Sequence, residues 1–334
     1  MSNIKRDIRI ALPSKGYLAE GSKRLLAEVG LKVYSPNPRQ YIAQIPSMPG
    51  VKVIFQRPGD IVISVRDGSV DFGITGRDVY LEKQDSNGKI MELQSQLGFG
   101  RCSLNVILPE RYEELNNLAN LTKLQARLGR PLKVATKFPN LTRKFFESKT
   151  KLEIVVIQAE GTLEIAPTVG YADLIVDLVS TGTTLRDNRL KILDDGEIMQ
   201  AEACLIANKA CLKSNLETLA IATQLLELVG AYLRANDNLA IFANVRGISP
   251  EEIARKIFEK EVIRGLQGPT ISPIITHQDE SWYAIHLIVR KSLLSRAIRE
   301  IREVGGSGVV VSPVSYIFEE EPPELIHMKA ALET

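Results

Sequence analysis

The apolar run Leu174-Ile175-Val176 ends in an acid, Asp177, and the chain then turns small and polar at Ser180-Thr181-Gly182-Thr183-Thr184. That order reads as a buried strand whose C-terminal end opens into a loop of hydroxyls, glycine and free backbone N–H groups. Such a loop can wrap an anion, because successive N–H groups form a concave nest and Gly182 lets the backbone approach closely. In open α/β sheets ligands sit just beyond strand C-termini. An acid followed by such a loop suits a phosphorylated sugar, with the loop on the phosphate and the carboxylate on the ribose hydroxyls. Asp173 adds a second acid at the start of the stretch. A plain strand with a polar turn is the alternative reading.

The same scheme recurs upstream. A strand at Ile8 to Leu12 leads into Pro13-Ser14-Lys15-Gly16 and a helix near Ala19 to Val29. A second strand, Val51 to Phe55, runs into Arg57-Pro58-Gly59-Asp60, and Asp71-Phe72-Gly73-Ile74-Thr75-Gly76 runs into Arg77-Asp78. Each loop places a cation after a strand, where a helix N-terminus favours an anion. Solvated lysines and capping acids are the bland reading of each one singly.

Gly98-Phe99-Gly100-Arg101 reads as a hinge into a second lobe, with Arg101 a further anion contact. Strand runs recur at Leu132 to Ala135, Ile154 to Ile157 and Leu174 to Asp177 with helical stretches between, which indicates a mostly parallel sheet. Glu160-Gly161-Thr162-Leu163-Glu164 opens a helix between the last two. Strands at Leu190 to Leu193 and Ala203 to Ala207 leave no room for another full unit, so the chain is expected to cross back to the first lobe. The expected layout is lobe one at 1–98, completed by about 190–222, with lobe two at 99–189 and a third domain at 223–334. The cation loops of lobe one would then face the Asp177 loop across a cleft.

Ser214-Asn215-Leu216-Glu217 has the form of a capping box opening a long connector helix. Beyond it the order is strand (Leu239 to Val245), helix after Ser249-Pro250, strands at Thr270 to Thr276 and Trp282 to Val289, helix at Leu293 to Val304, and strand at Gly308 to Ile317. This β-α-β-β-α-β order is ferredoxin-like. It suits an effector-binding or an oligomerisation module.

Charge narrows the chemistry. Net charge is +2, from 42 Lys and Arg against 40 Asp and Glu. That provides no field for nucleic acid or membrane, so any anion site is local. Three cysteines, Cys102, Cys204 and Cys211, lack metal-ligand spacing and argue against a disulfide framework. No apolar signal core or membrane-spanning run is apparent, and a cytoplasmic location is expected. All three histidines, His277, His286 and His327, lie in the last fifth of the chain. Histidine-based nucleophilic or metal mechanisms around Asp177 are therefore disfavoured. Carboxylates, Arg and Lys and a hard cation held by phosphates remain.

The Asp177 loop resembles the phosphoribosyl-pyrophosphate loop of phosphoribosyltransferases, with Val176 where the common form has a first acid. The motifs I-R-I-A-L-P-S-K-G, F-Q-R-P-G-D-I, D-F-G-I-T-G-R-D, L-G-F-G-R-C-S-L, A-T-K-F-P-N-L-T-R and I-V-D-L-V-S-T-G-T-T-L-R span Ile8 to Asn188. In that order they resemble ATP phosphoribosyltransferase, which catalyses the first step of histidine biosynthesis. The tail motifs G-L-Q-G-P-T-I-S-P and W-Y-A-I-H-L-I-V are similar to the C-terminal domain of the long form. The resemblance implies a two-lobed, periplasmic-binding-protein-like catalytic part with a histidine-binding regulatory domain, in homo-oligomers (dimer and hexamer) that need Mg²⁺ and no separate regulatory subunit. By motif, Asp177 with Ser180, Thr181, Gly182, Thr183 and Thr184 would hold the sugar and its 5′-phosphate. Lys15, Arg57, Arg77, Asp78 and Arg101 would line the ATP and pyrophosphate side, with Glu164 and Asp173 on the second lobe. Thr270 and Ser272 would mark the histidine pocket. A two-lobed binding protein and a transferase with another acceptor are the rival classes.

Overall fold

The computed structural model describes residues 7–37, 40–84, 87–180, 182–265, 268–275 and 281–333. Two compact units are present: Met1–Thr223 with His327–Thr334, and Gln224–Ile326.

The larger unit holds two sheets. Lobe A begins with β1 (Ile8–Pro13), α1 (Tyr17–Glu28), β2 (Ile42–Gln44), β3 (Val51–Gln56), α2 (Pro58–Arg66), β4 (Phe72–Gly76), α3 (Arg77–Lys83) and β5 (Ile90–Gln94). Lobe B follows with β6 (Cys102–Pro109), α4 (Leu121–Leu128), β7 (Leu132–Thr136), α5 (Pro139–Lys149), β8 (Ile154–Gln158), α6 (Ala166–Val169), β9 (Leu174–Val179), α7 (Thr183–Asp187) and β10 (Leu190–Ala201). The chain then returns to lobe A through β11 (Ala203–Asn208), α8 (Lys209–Ser214) and α9 (Leu216–Asn236). Lobe A is a six-stranded sheet in the order β2-β3-β1-β4-β11-β5, and lobe B a five-stranded sheet in the order β10-β6-β9-β7-β8.

β1 is parallel to both β3 and β4, and β7 is parallel to both β8 and β9. Each of these strands therefore ends on the same edge of its sheet, which is what gathers the loops after them. Packing fixes that register: Ala11, Ile61, Val62, Val65 and Ile206 form one core of lobe A. Leu104, Val106, Val134, Phe146 and Val176 form that of lobe B. Pro58 and Pro139 open α2 and α5 at the first helical turn, where the missing N–H costs nothing and φ is already set.

The two chain crossings between the lobes are bonded to each other. Leu97 N–H donates to Ala203 O at 3.0 Å, and Ala203 N–H donates to Phe99 O at 2.9 Å. Gly98 and Gly100 take φ of 79° and 74°, a left-handed backbone that suits glycine, so Phe99 can turn inward. Its ring lies against Gly21 of α1, where a Cβ would come within 2.2 Å of it.

The second unit contains β12 (Asn238–Arg246), α10 (Pro250–Phe258), β13 (Thr270–Ile274), β14 (Trp282–Arg290), α11 (Leu294–Glu303) and β15 (Gly306–Pro313). Its antiparallel sheet runs β13-β14-β12-β15, the ferredoxin-like order, over a core of Ile241, Val245, Ile253, Ile285, Leu287 and Ile301. A last helix, α12, spans Pro323–Glu333.

Several local expectations are corrected. β9 continues to Val179, so Asp177 lies inside the strand, paired with Asn105 of β6 rather than at the strand end. α9 is capped by Asn215, whose Oδ1 accepts the Glu217 N–H at 2.9 Å, whereas Ser214 closes α8. β15 stops at Pro313, whose ring cannot donate to a ladder. β2 and β5 are strands that the apolar pattern does not announce. The expected absence of a membrane-length run also fails: α9, 21 residues, is long and apolar enough to cross a membrane by length and composition. Its Ala222, Leu225, Leu226 and Val229 are buried at helical spacing, as in a core helix.

Candidate functional site

Three of the cation loops share one edge of lobe A because β3, β1 and β4 are adjacent and parallel. Lys15 is exposed after β1, and Arg57 is exposed as the extended residue before α2. Arg77 follows β4, but its charge is already met. Its Nε and one terminal nitrogen donate to the two carboxylate oxygens of Glu92 at 2.7 and 3.3 Å. A guanidinium held as a fork on a neighbouring acid is a positioned part of the lobe, not a loose anion contact.

Asp78 is buried at the start of α3, and burial pushes its carboxyl up against the opposing pull of the Val79 N–H. The fit is tight, since a Cβ at Gly76 would lie 2.3 Å from Asp78 Oδ1. Arg101 sits at the crossing with its Nε 3.1 Å from the carboxylate of Glu202, while most of its side chain is exposed. Glu202 also accepts the Gly98 N–H at 3.2 Å, and its carbonyl accepts the Arg77 N–H at 2.9 Å. One buried acid thus binds both crossings to the base of α3.

On lobe B the C-terminal ends of β7, β8 and β9 carry Lys137, Glu160 and the Asp177 stretch. Asp177 is half-buried, with its Oδ1 accepting the Leu178 N–H at 2.8 Å. Burial pushes its carboxyl above the ordinary aspartate range; Glu164 adds to that push, and the Leu178 N–H and Lys137 oppose it. The loop that follows is open to solvent: Ser180, Thr183 and Thr184 are exposed, and Gly182 takes φ 71° before α7. Thr181 lies outside the described residues. Asp177, Glu164, Lys137 and the exposed hydroxyls therefore share one end of the sheet.

Asp173 does not join them. It precedes β9 at the opposite end of the strand, where it takes Arg130 through two bonds at 2.7 and 2.9 Å and the Lys133 N–H at 2.8 Å. Its role is to tie the start of β9 to β7.

A cavity of about 1060 Å³ lies where the two lobes meet. Arg57, Asp60 and Glu82 line it from lobe A, and Lys137, Asn140, Arg143, Gln158 and Glu160 from lobe B. Lys137 lines this cavity, and its charge acts on Asp177, which does not itself line it. Sequence reasoning singled out Arg57 but missed Lys137, although a cation directly after a buried strand is the same signal that marks Lys15. Among the described residues no cluster of three or more His, Cys, Asp or Glu side chains could hold a metal.

In the second unit Thr270 and Ser272 are exposed on β13. Thr270 pairs with His286 of β14, which pairs with Phe242 of β12, so these three share one row of the sheet. His286 and Phe242 stack with ring centroids 4.3 Å apart. His277 lies outside the described residues.

The family model described as ATP phosphoribosyltransferase matches residues 57–229, and that of the HisG C-terminal domain matches residues 235–316. The chain is 40% identical over 326 residues to ATP phosphoribosyltransferase 2, chloroplastic, of Arabidopsis thaliana, covering 96% of this chain and 79% of that protein. It is 34% identical over 310 residues to ATP phosphoribosyltransferase of Methanocaldococcus jannaschii, covering 93% of this chain and 99% of the other. Among solved structures it is similar to the ATP phosphoribosyl transferase (HisG:HisZ) complex of Thermotoga maritima, with a TM-score of 0.52 and 26% identity over 66% of this chain and 98% of that one.

Proposed function

The chain belongs to the ATP phosphoribosyltransferase family, and from that premise we infer how its own residues carry the transfer of a phosphoribosyl group to ATP, the first step of histidine biosynthesis. The observation that carries the assignment of roles is the meeting of two strand edges at one cavity. Arg57 stands on one side of it, and Lys137, leading to Asp177, on the other.

Asp177 and the hydroxyl loop, Ser180 to Thr184, hold the ribose and 5′-phosphate of phosphoribosyl pyrophosphate. Arg57, Lys15 and Arg101 meet the pyrophosphate and the ATP phosphates, while Arg77 and Asp78 shape the wall behind them. Adenine N1 attacks C1′ with inversion, the C1′–oxygen bond breaks, and pyrophosphate departs with the electron pair. N1 carries no proton, so no strong general base is needed. This agrees with a lobe B edge built from carboxylates, Lys and hydroxyls. Rate comes from holding two polyanions in line and stabilising the departing charge.

Mg²⁺ fits as a substrate-borne ion. Asp177 and Glu164 put two carboxylates at one end of the lobe B sheet, and Glu164 adds to the upward push that burial gives the Asp177 carboxyl. Such hard oxygen donors suit a cation that the phosphates mainly hold. When bound, it neutralises part of the pyrophosphate charge. The second unit is proposed to bind histidine as feedback inhibitor beside Thr270 and Ser272 on the exposed face shared with His286. The Thermotoga chain occurs with HisZ. The present chain carries the HisG C-terminal domain itself and is proposed to work as a homo-oligomer without a separate regulatory subunit.

The test is pyrophosphate release with Mg²⁺ and phosphoribosyl pyrophosphate, with and without ATP, then with histidine. Release that requires ATP and falls with histidine supports both parts. ATP-dependent release that histidine leaves unchanged removes the regulatory role. No release with ATP overturns the assigned chemistry.

A further inference from the structure

Glu82 stands on α3 of lobe A, yet its carboxylate is spent on lobe B. One oxygen accepts the Asn140 N–H at 2.9 Å and the other accepts the Leu141 N–H at 3.0 Å. The Glu82 carbonyl also accepts the Asn140 side-chain amide at 3.1 Å. Asn140 and Leu141 are in the first turn of α5, where backbone N–H groups have no partner within the helix. No side chain of α5's own N-cap residue, Phe138, covers them. Lobe A thus caps a helix of lobe B with a residue that is only 7% exposed.

Burial works against the Glu82 charge, and the Leu141 and Asn140 N–H groups, Arg143 and Lys83 work for it. A carboxylate so placed is costly to leave unpaired. Sliding one lobe past the other breaks all three bonds at once.

The position of this contact gives it a functional meaning. Glu82 and Asn140 line the same cavity as Arg57 and Lys137. α3 grows directly from β4, and α5 begins two residues after Lys137, so both helices are rigid extensions of the edges that carry the site. We infer that Glu82 is a positioning residue: its bonds to Asn140 and Leu141 set the spacing between the Arg57 side and the Asp177 side of the reaction. The inference rests on the roles assigned above, because it concerns alignment of the two substrates that those roles bring in.

Each substrate keeps its contacts when the strut is cut, whereas in-line alignment is lost. A displacement near 1 Å can cost about 100-fold in rate. Glu82→Gln turns an NH₂ toward one of the two donors. Asn140→Pro removes the Asn140 N–H and its side-chain amide, two of the three donors, at the second helical position, where the N–H has no partner within the helix. Each variant is expected to lower kcat by about 10-fold or more at temperatures well below its melting point, with both KM values within roughly threefold of wild type. The double variant is expected to be no worse than the poorer single one, since both cut the same contact. Glu82→Asp is expected to fall between. A lower Tm with unchanged kcat would reduce Glu82 to a helix cap and overturn the inference.

Lobe spacing provides a readout apart from activity. In a chain with Cys102 and Cys211 changed to serine, spin labels at Lys32 and Lys123 report the interlobe distance. Glu82→Gln is expected to broaden that distribution, and an unchanged distribution also overturns the inference. If wild type shows no ATP-dependent turnover, the assigned chemistry fails while this distance measurement still decides the strut.

Discussion

Arg101 and Glu202 meet across the two chain crossings, Nε to carboxylate at 3.1 Å, with the arginine 82% exposed and the glutamate side chain 9% exposed. The pair is lopsided: Glu202 is anchored by the Gly98 N–H whether or not Arg101 is present. Arg101→Ala is therefore expected to cost no more than about 1 kcal/mol of stability. If the guanidinium serves the substrates, kcat/KM falls by roughly 10-fold or more. Urea denaturation beside steady-state kinetics separates the two effects, and unchanged kinetics would remove Arg101 from the site.

Asp177 carries a sharper expectation. Its carboxylate is disfavoured by burial, so Asp177→Asn is expected to leave the melting temperature unchanged or slightly raised. Use of phosphoribosyl pyrophosphate is expected to fall by about 100-fold in kcat/KM. Retained activity would refute the ribose-holding role.

The pH profile follows from the same residue. An acid whose folded pKa is raised loses its charge as pH falls through a value above the ordinary 3.8. If the ionised form holds the ribose, the acid limb of kcat/KM for phosphoribosyl pyrophosphate lies above that value. Lys137→Met removes an opposing pull and is expected to move the limb to higher pH; Glu164→Gln removes a like charge and is expected to move it lower. Movement in the opposite directions would sever Asp177 from the limb.

Asp173 is expected to behave in the reverse manner. Burial pushes its carboxyl up, but the Arg130 fork and the Lys133 N–H outweigh that and leave it below the ordinary value. Its stabilisation is present above the unfolded pKa and is lost as pH falls through the lowered one. Asp173→Ala is expected to lower the melting temperature, chiefly because the Lys133 N–H loses its acceptor, while the partly exposed Arg130 is left to water. Both KM values stay within twofold of wild type in assays on the folded fraction.

The contrast between the two aspartates shows what the chain could reveal by itself. Asp177 was legible because apolar run, acid and hydroxyl loop are contiguous. Asp173 looked similar only because its partner, Arg130, lies 43 residues away. Arg77 read as a free cation for the same reason: Glu92 reaches it from β5, two strands away across β11. Glu82 left no signal, since its partners are backbone N–H groups 58 and 59 residues further on, and any sequence supplies those. The parallel strands were legible from buried runs, while β2 has only three residues and the apolar run of β5 is interrupted by Glu92.

Gly21 offers a test of the crossing itself. A methyl there would meet the Phe99 ring at 2.2 Å. Gly21→Ala is expected to destabilise the protein by roughly 1–3 kcal/mol through overpacking, although alanine favours a helix elsewhere. A stabilised variant would mean that Phe99 can leave its place without cost.

β11 lies between β4 and β5 in the lobe A sheet, and this has a consequence for the order of assembly. Until Ala203–Asn208 emerge from the ribosome, β4 and β5 have no common neighbour and each leaves a bare backbone edge. All five strands of lobe B are made before that point. At about 5–20 residues per second, lobe A waits on the order of ten seconds for its missing strand. The later-synthesised lobe can thus be complete first, and the earlier one closes around a strand made after it. A nascent chain halted near residue 200 would carry an exposed seam that invites β-strand pairing with other chains.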